Sequence, residues 1–408
     1  MRAARCEIRG SDGVDGAIRP PHGKCAGVAG GEIATASRAR RAAALVALVF
    51  VIAGCAGVET PSPAYPPITA SEGRARVQRL LPEGLADRSG WATDLYAAIA
   101  ALELPPTPES ICAVVAITQQ ESGFRADPPV PGLPAIAKRE IERRRERAGV
   151  PKLVLDAALA LPSTNGRTYG ERLDTVKTEL QLSELYDDFI DRVPLGRTFF
   201  ADRNPVRTAG PMQVSIAFAE RFAETRPYPY PRKGTIRDET FTRRGGLYFG
   251  IAHLLAYDVP YDRYLFRFAD FNAGRYASRN AAFQSAVGEL SGIPLALDGD
   301  LLRYDGDRPS REIGSTETAT RLLARRLGVD NDEIRRDLAR GADGDFVRTD
   351  VYRQVFALAD RTSGKRVARA VVPDIPLTSP KITRKLTTDW FARRVDTRFN
   401  ACLARREA

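Results

Sequence analysis

The 408-residue sequence predicts a mostly α-helical fold. Two observations carry this: apolar residues recur at helical spacing behind Ser or Thr cap signals along most of the chain, and strand patterns are scarce, with Arg369 to Val372 the best of them. The composition, 43 % hydrophobic and 27 % charged, is that of an ordinary globular protein long enough for two domains or one large helical one.

The first 54 residues stand apart. Arg38, Arg40 and Arg41 precede an apolar run from Ala42 to Ala53 that closes in Val51-Ile52-Ala53-Gly54-Cys55. A basic cluster followed by a short apolar stretch is a secretion signal. Ending in small residues at a cysteine, it resembles the bacterial lipobox, so Cys55 is expected to be lipidated and to become residue one. Ala56 at the next position implies the outer membrane and a periplasm-facing protein. Residues 1–37, rich in Gly and Arg and without periodicity, are expected to precede the true start, and 38–54 to form the leader. Residues 55–75 read as the lipidated cysteine and a proline-rich tether.

Helices follow. Ser89 is expected to cap a segment with Trp91, Leu95, Ile99 and Leu102 on one face. Thr107-Pro108 opens the next, with a cap and a proline at the first helical position, and it runs through Ile111-Cys112-Ala113-Val114-Val115-Ala116-Ile117 to Glu121. A proline-rich loop over 127–134 leads to one or two helices over 135–161, whose charge run Lys138 to Arg147 mixes both signs as a solvated face does. Leu173, Val176 and Leu180 suggest another helix, and Ser183 is expected to cap a further one. Helices are also expected over 215–225, 246–257, 280–290, 315–327, 350–359 and 381–404.

Net charge is +10 overall, and about +6 once the leader is removed. It is spread along the chain, and no basic stripe interleaved with aromatics points to nucleic acid. Two histidines, His22 and His253, and no closely spaced cysteine pair exclude a histidine-rich metal centre or zinc ribbon. His253 reads as a packed helix residue.

Three separated segments suggest a glycan-cleaving site: Gln120-Glu121-Ser122-Gly123-Phe124-Arg125-Ala126-Asp127, Ala209-Gly210-Pro211-Met212-Gln213-Val214, and Asp270-Phe271-Asn272-Ala273-Gly274. In this order, with the glutamate ending an apolar helix, they resemble the lytic transglycosylases of the goose-type lysozyme superfamily, whose patterns are Glu-Ser-x-Phe, Gly-Leu-Met-Gln and Ala-Tyr-Asn-Ala-Gly. The whole lipoprotein also resembles a bacterial family known only as a domain of unknown function. The superfamily resemblance implies a lysozyme-like helical domain over 76–295, here with an insertion at about 128–205 and a helical extension from 296 to 408. It implies cleavage of the MurNAc-GlcNAc β-1,4 bond in peptidoglycan strands, without metal or organic cofactor, by Glu121. At the end of a buried helix the dipole and partial desolvation both favour the protonated carboxyl that a general acid needs. Ser122, Gly210, Met212, Gln213, Phe271 and Asn272 would line the substrate site. Pro211 stands where the family has leucine and Phe271 where it has tyrosine; Tyr276 is the nearby hydroxyl. These two departures favour the alternative, a non-catalytic peptidoglycan-binding or envelope-scaffold lipoprotein.

With Cys6 and Cys25 in the leader and Cys55 lipidated, Cys112 and Cys402 remain as the only thiols in an oxidising compartment, and a disulfide between them is expected. The apolar face Trp390, Phe391, Val395 and Phe399 suits docking of the last helix.

Overall fold

The computed structural model describes residues 68–193, 195–200, 203–305, 308–377 and 384–406. The leader and Cys55 lie outside them. Among the described residues there are eighteen α-helices and three two-stranded ribbons of two residues per strand. No helix there is long and apolar enough to cross a membrane.

α1 (Ala70–Leu80) begins inside the segment read as tether. Thr69 accepts from the Glu72 amide while the Glu72 carboxylate accepts from the Thr69 amide, and this reciprocal cap starts a helix that buries Val77 and Leu80. In α2 (Arg88–Ala101) the cap is Asp87, not Ser89: its carboxylate accepts from the Gly90 amide, and Trp91, Leu95 and Ile99 turn inward as their spacing requires. α3 (Pro108–Glu121) is capped by Thr107 with Pro108 at its first position, and every residue from Ser110 to Thr118 is buried. A helix apolar on all sides belongs at the centre of a core. Against it lie α1 and the helices described below as α11 and α18, with residues of α2 and α12 in the same core.

Residues 128–205 carry α4 (Leu133–Arg147), α5 (Lys152–Ala160), α6 (Tyr169–Leu173), α7 (Glu179–Arg192) and α8 (Gly196–Phe200), with a small core of their own around Leu133, Tyr169, Leu173 and Leu185. The charge run on α4 forms internal ion pairs, Glu140 with Arg144 at 2.7 Å and Glu142 with Arg145 at 2.7 Å. The expected helix through Leu173, Val176 and Leu180 is broken. Thr178 caps α7 by accepting from Gln181, five residues ahead of Ser183, which sits buried inside the helix and bonds Asn204. The earlier threonine wins because the helix can propagate from it without interruption.

β1 (Thr208–Ala209) and β2 (Val214–Ser215) form a hairpin that feeds α9 (Ile216–Thr225), capped by Ser215. α10 (Ile236–Phe241), α11 (Arg243–Leu255), α12 (Tyr264–Ala273) and α13 (Ala277–Ser291) follow. Thr242 caps α11, whose first residue, Arg243, lies three residues before Gly246. α13 turns from the first core into a second, where Phe283 and Val287 meet Ile334, Phe346, Val355 and Phe356. That core is built by α14 (Ser315–Leu322), α15 (Ala324–Leu327), α16 (Asn331–Leu338) and α17 (Asp350–Ser363). Arg369 to Val372 is not a strand: the Val371 amide donates to the Ser278 carbonyl alone. After the ribbon β3 (Tyr304–Asp305) and β4 (Arg308–Pro309), the neighbouring β5 (Pro376–Leu377) instead pairs with β6 (Leu386–Thr387).

α18 (Thr388–Ala404) brings the chain back to the first core. Phe391, Val395 and Phe399 are buried against α3 and α12, with Trp390 partly buried beside them. A disulfide joins Cys402 to Cys112 of α3, Cα to Cα 5.5 Å across 290 residues of sequence.

Candidate functional site

Two of the three singled-out segments meet on one face of α11. Residues 246, 250 and 253 share that face, spaced by four and three. The hairpin 209–214 lies across its first half: a Cβ on Gly246 would fall 2.5 Å from the Pro211 ring, and one on Gly250 would fall 2.5 Å from Met212 Sδ. Only glycine admits this approach, so the hairpin and the two glycines are one packing unit. Gly210 adopts φ +74° with its own missing Cβ facing the Thr240 carbonyl. Met212 is fully buried, so it serves the floor beneath the hairpin and presents no surface to a ligand.

Gln213 is turned to the hairpin itself. Its backbone, at φ +50°, and its Nε2 both donate to the Gly210 carbonyl, at 3.0 and 3.2 Å, and its Oε1 accepts from the Thr208 hydroxyl at 3.2 Å. The second half of the α11 face holds His253, between Phe218 of α9 (centroids 4.7 Å) and Phe271 of α12 (5.1 Å). Burial, with help from the nearby Arg275 charge, lowers its pKa to about 4, so the imidazole is neutral at physiological pH; its Nδ1 has no hydrogen-bond partner. Phe271 thus packs on a neutral ring where a tyrosine would have carried its hydroxyl.

The remaining residues of the third segment look inward as well. Asp270 is fully buried and accepts from the Ser278 amide at 2.7 Å and from the hydroxyls of Tyr257 and Tyr261; burial still outweighs these bonds and raises its pKa. Asn272 Oδ1 accepts from the Thr388 hydroxyl at 3.0 Å, tying α12 to the first turn of α18. Tyr276 does not replace the missing hydroxyl, because its ring is buried edge-on to Tyr257 and its oxygen lies against Gly344.

The first segment closes α3. Glu121 is the last helical residue and partly exposed. Ser122 Oγ donates to the Thr118 carbonyl at 3.0 Å and accepts from the Arg125 amide at 3.2 Å, so the serine ends the helix and holds the turn. That turn is strained: Gly123 and Phe124 both have positive φ, +59° and +62°. Left-handed backbone costs a bulky residue roughly 1–2 kcal/mol. Burial of the Phe124 ring, edge-on to Trp91 at 5.2 Å, offsets it.

A cavity of about 580 Å³ opens at this turn, lined by Trp91, Gly123, Phe124, Arg125, Asp87 and Arg243. A second of about 530 Å³, lined by Asp94, Asp238, Glu239 and Arg244 among others, adjoins it at Arg243. Arg243 pairs with Asp87 and Asp94, each at 2.5 Å, and its guanidinium lies 5.2 Å from the Trp91 ring centroid. Sequence reasoning missed Arg243 and Asp87 because nothing in their local sequence pairs residues so far apart; Arg125 stood in the first segment without a role. It also missed Glu184, whose pKa is raised by partial burial and by nearby Asp127. Among the described residues no three His, Cys, Asp or Glu side chains gather as a metal set.

Comparison with known proteins places the chain. No solved structure matches it. The uncharacterized protein YaiW of Escherichia coli strain K12 is 51 % identical over 355 residues, covering 87 % of this chain and 96 % of that protein. The match to the protein family of unknown function DUF1615 extends over residues 84–405, nearly all of the described helices, and the chain belongs to that family.

Proposed function

We propose that this protein is a peptidoglycan lytic transglycosylase of lysozyme-like architecture, held at the cell envelope through a lipidated Cys55 and acting on glycan strands from the periplasmic side. The observation that carries this reading is the position of Glu121 at the exit of the buried α3, with a strained turn and an aromatic- and arginine-lined cavity directly after it. Substrate-binding clefts of this size combine an apolar wall with a few polar groups, and strained backbone collects at functional sites.

In this reaction the Glu121 carboxyl protonates the glycosidic oxygen, and the C1–O bond to the leaving GlcNAc breaks. With Asp270 of the third segment buried and engaged by Ser278, Tyr257 and Tyr261, no second carboxylate reaches the sugar from that segment, and the substrate N-acetyl oxygen meets the positive charge at C1. The Glu121 carboxylate then takes the proton of the MurNAc C6 hydroxyl, whose oxygen closes the 1,6-anhydro ring on C1. The proton returns to the enzyme, no water is consumed, and no cofactor is needed.

A second reading, a non-catalytic peptidoglycan-binding or scaffold lipoprotein, is favoured by the inward hydrogen bonds of Ser122, Gln213 and Asn272 and by the absence of a hydroxyl at Phe271. Incubation of purified sacculi with the protein, followed by mass spectrometry, separates the two. Anhydromuropeptides from the wild type, reduced at least about 10²-fold in a folded Glu121→Gln variant, are the expected result. Reducing-end products would indicate hydrolysis, and binding without products would leave the scaffold.

A further inference from the structure

A third cavity, of about 530 Å³, lies in the 128–205 insertion and the three residues that follow it, and is independent of the glycan reading. Its volume is that of a small-molecule site, roughly 300–1,000 Å³. Its inner wall is hydrocarbon: Leu133, Ile136 and Ile141 along α4, Leu155 and Leu159 from α5, and Leu173 and Leu185 from α6 and α7. It is elongated. Lining residues run down one face of α4 from Leu133 to Arg144, roughly 16 Å at 1.5 Å per residue, which an extended chain of about twelve methylenes would match with C–C bonds of about 1.5 Å.

The two ends differ in character. At the Leu133 end Tyr169, Leu173 and Leu185 are buried, so the cavity is closed there. At the other end the lining residues Arg143, Arg144 and Arg207 are solvent-exposed, which makes that end the mouth; Arg143 and Arg144 share the single carboxylate of Glu140, so two guanidinium groups meet one anion there and keep further N–H donors for a second. The cover is light. α5 buries none of its residues; Leu155, Ala158 and Leu159 face the cavity while Leu153 and Val154 are 79 % and 54 % exposed on the other side. A helix that is apolar on both faces and packed on neither by a full core is suited to admitting a hydrocarbon chain rather than to sealing a dry interior.

We infer that this cavity binds one fatty acid of about twelve to fourteen carbons, its methyl end against Leu133 and Leu173 and its carboxylate among Arg143, Arg144 and Arg207. A carboxylate is matched by the forked guanidinium donors, and a single tail by the one elongated lumen.

The test is fluorescence titration of the full-chain protein with 11-(dansylamino)undecanoate, then displacement by laurate, decanoate and dodecanol. Expected are saturable binding at one site per chain and weakening by about fourfold per methylene removed, so decanoate binds roughly 16-fold more weakly than laurate. Dodecanol, lacking the charge, should bind at least about tenfold more weakly than laurate. Ala158→Trp fills the lumen and Leu155→Glu places a carboxylate in its wall; both sites are partly exposed on α5, and either variant, with unchanged circular dichroism, should lose binding by about tenfold or more. Arg143→Gln with Arg144→Gln should erase the preference for laurate over dodecanol. Absence of saturable binding, or unaltered binding in both folded α5 variants, overturns the site; dodecanol binding as tightly as laurate overturns the fatty-acid assignment.

Discussion

At the scale of single residues, the centre of the molecule is set by two groups with no room for charge. His253, between Phe218 and Phe271, is held neutral with a pKa near 4, against about 6.5 in an unfolded chain. Between those values the unfolded state binds the extra proton, so stability rises with pH across the interval: the contribution is complete above about pH 6.5 and is lost as pH falls toward 4. Thermal unfolding at pH 7.5 and pH 5 should therefore show a lower midpoint at pH 5, by the equivalent of about 1–2 kcal/mol, and His253→Gln should remove most of that difference. An unchanged pH dependence in the variant would mean that other groups carry it. The Phe271 ring is the other member of the pair. If the proposed transglycosylase activity lacks only the tyrosine hydroxyl of the enzymes that its three segments resemble, Phe271→Tyr should raise product release from sacculi by a few-fold at most, because Asn272 and Ser122 stay committed to Thr388 and to the α3 turn. A large drop instead would show that the added hydroxyl cannot be satisfied beside His253.

Elements follow from pairs of residues that the sequence presents only in part. Gly246 and Gly250 lie in a helix that the sequence announces, yet that they are where the 209–214 hairpin touches it is visible only once Pro211 and Met212 are in place. Gly250→Ala gains up to about 1 kcal/mol of helix propensity. It also drives a methyl to within 2.6 Å of Met212 Cβ in a closed core, an overpacking that costs roughly 1–3 kcal/mol. The clash should win, and urea unfolding should show a net loss of about 1–2 kcal/mol, partly recovered when Met212 is shortened to Val in the same chain. The same contrast explains which helices were legible. Thr107-Pro108 and Ser215 mark their helices because cap and apolar face are contiguous. Asp87, Thr69 and Thr178 were passed over because a competing polar residue, or a proline-rich approach, stood nearby, and the choice is made by packing of the first turn. Of the candidate site, the placement of Glu121 at a helix end was readable from its apolar run. The inward bonds of Gln213 and Asn272 were not, since their partners Gly210 and Thr388 become neighbours only through the hairpin and the docked last helix.

For the whole molecule, the decisive feature is that the chain leaves its first core at α13, builds a second, and returns. The return is fastened at several points on three helices: Thr388 to Asn272 of α12, Phe399 against Tyr264 at 5.0 Å, Arg405 Nε to the carbonyl of Leu80 at the end of α1 at 2.9 Å, and the disulfide from Cys402 to Cys112 of α3. A bond that closes 290 residues removes a large share of the unfolded chain's freedom, and the chain-entropy model assigns roughly 5–6 kcal/mol to a loop of that length, with measured values commonly lower. The hydrogen bonds and aromatic contacts of α18 do not depend on it, so the paired variant Cys112→Ala, Cys402→Ala should fold. It should unfold at lower denaturant, by about 2–5 kcal/mol, with no change in the helical circular dichroism signal. Hydrogen exchange then distinguishes the source of the loss. If the bond acts on the unfolded chain alone, protection falls evenly over both cores; if it also holds α18 down, amides of 391–402 exchange first while those of α13 to α17 keep their relative order. Alkylation of both thiols in the unreduced, denatured wild type would remove the premise.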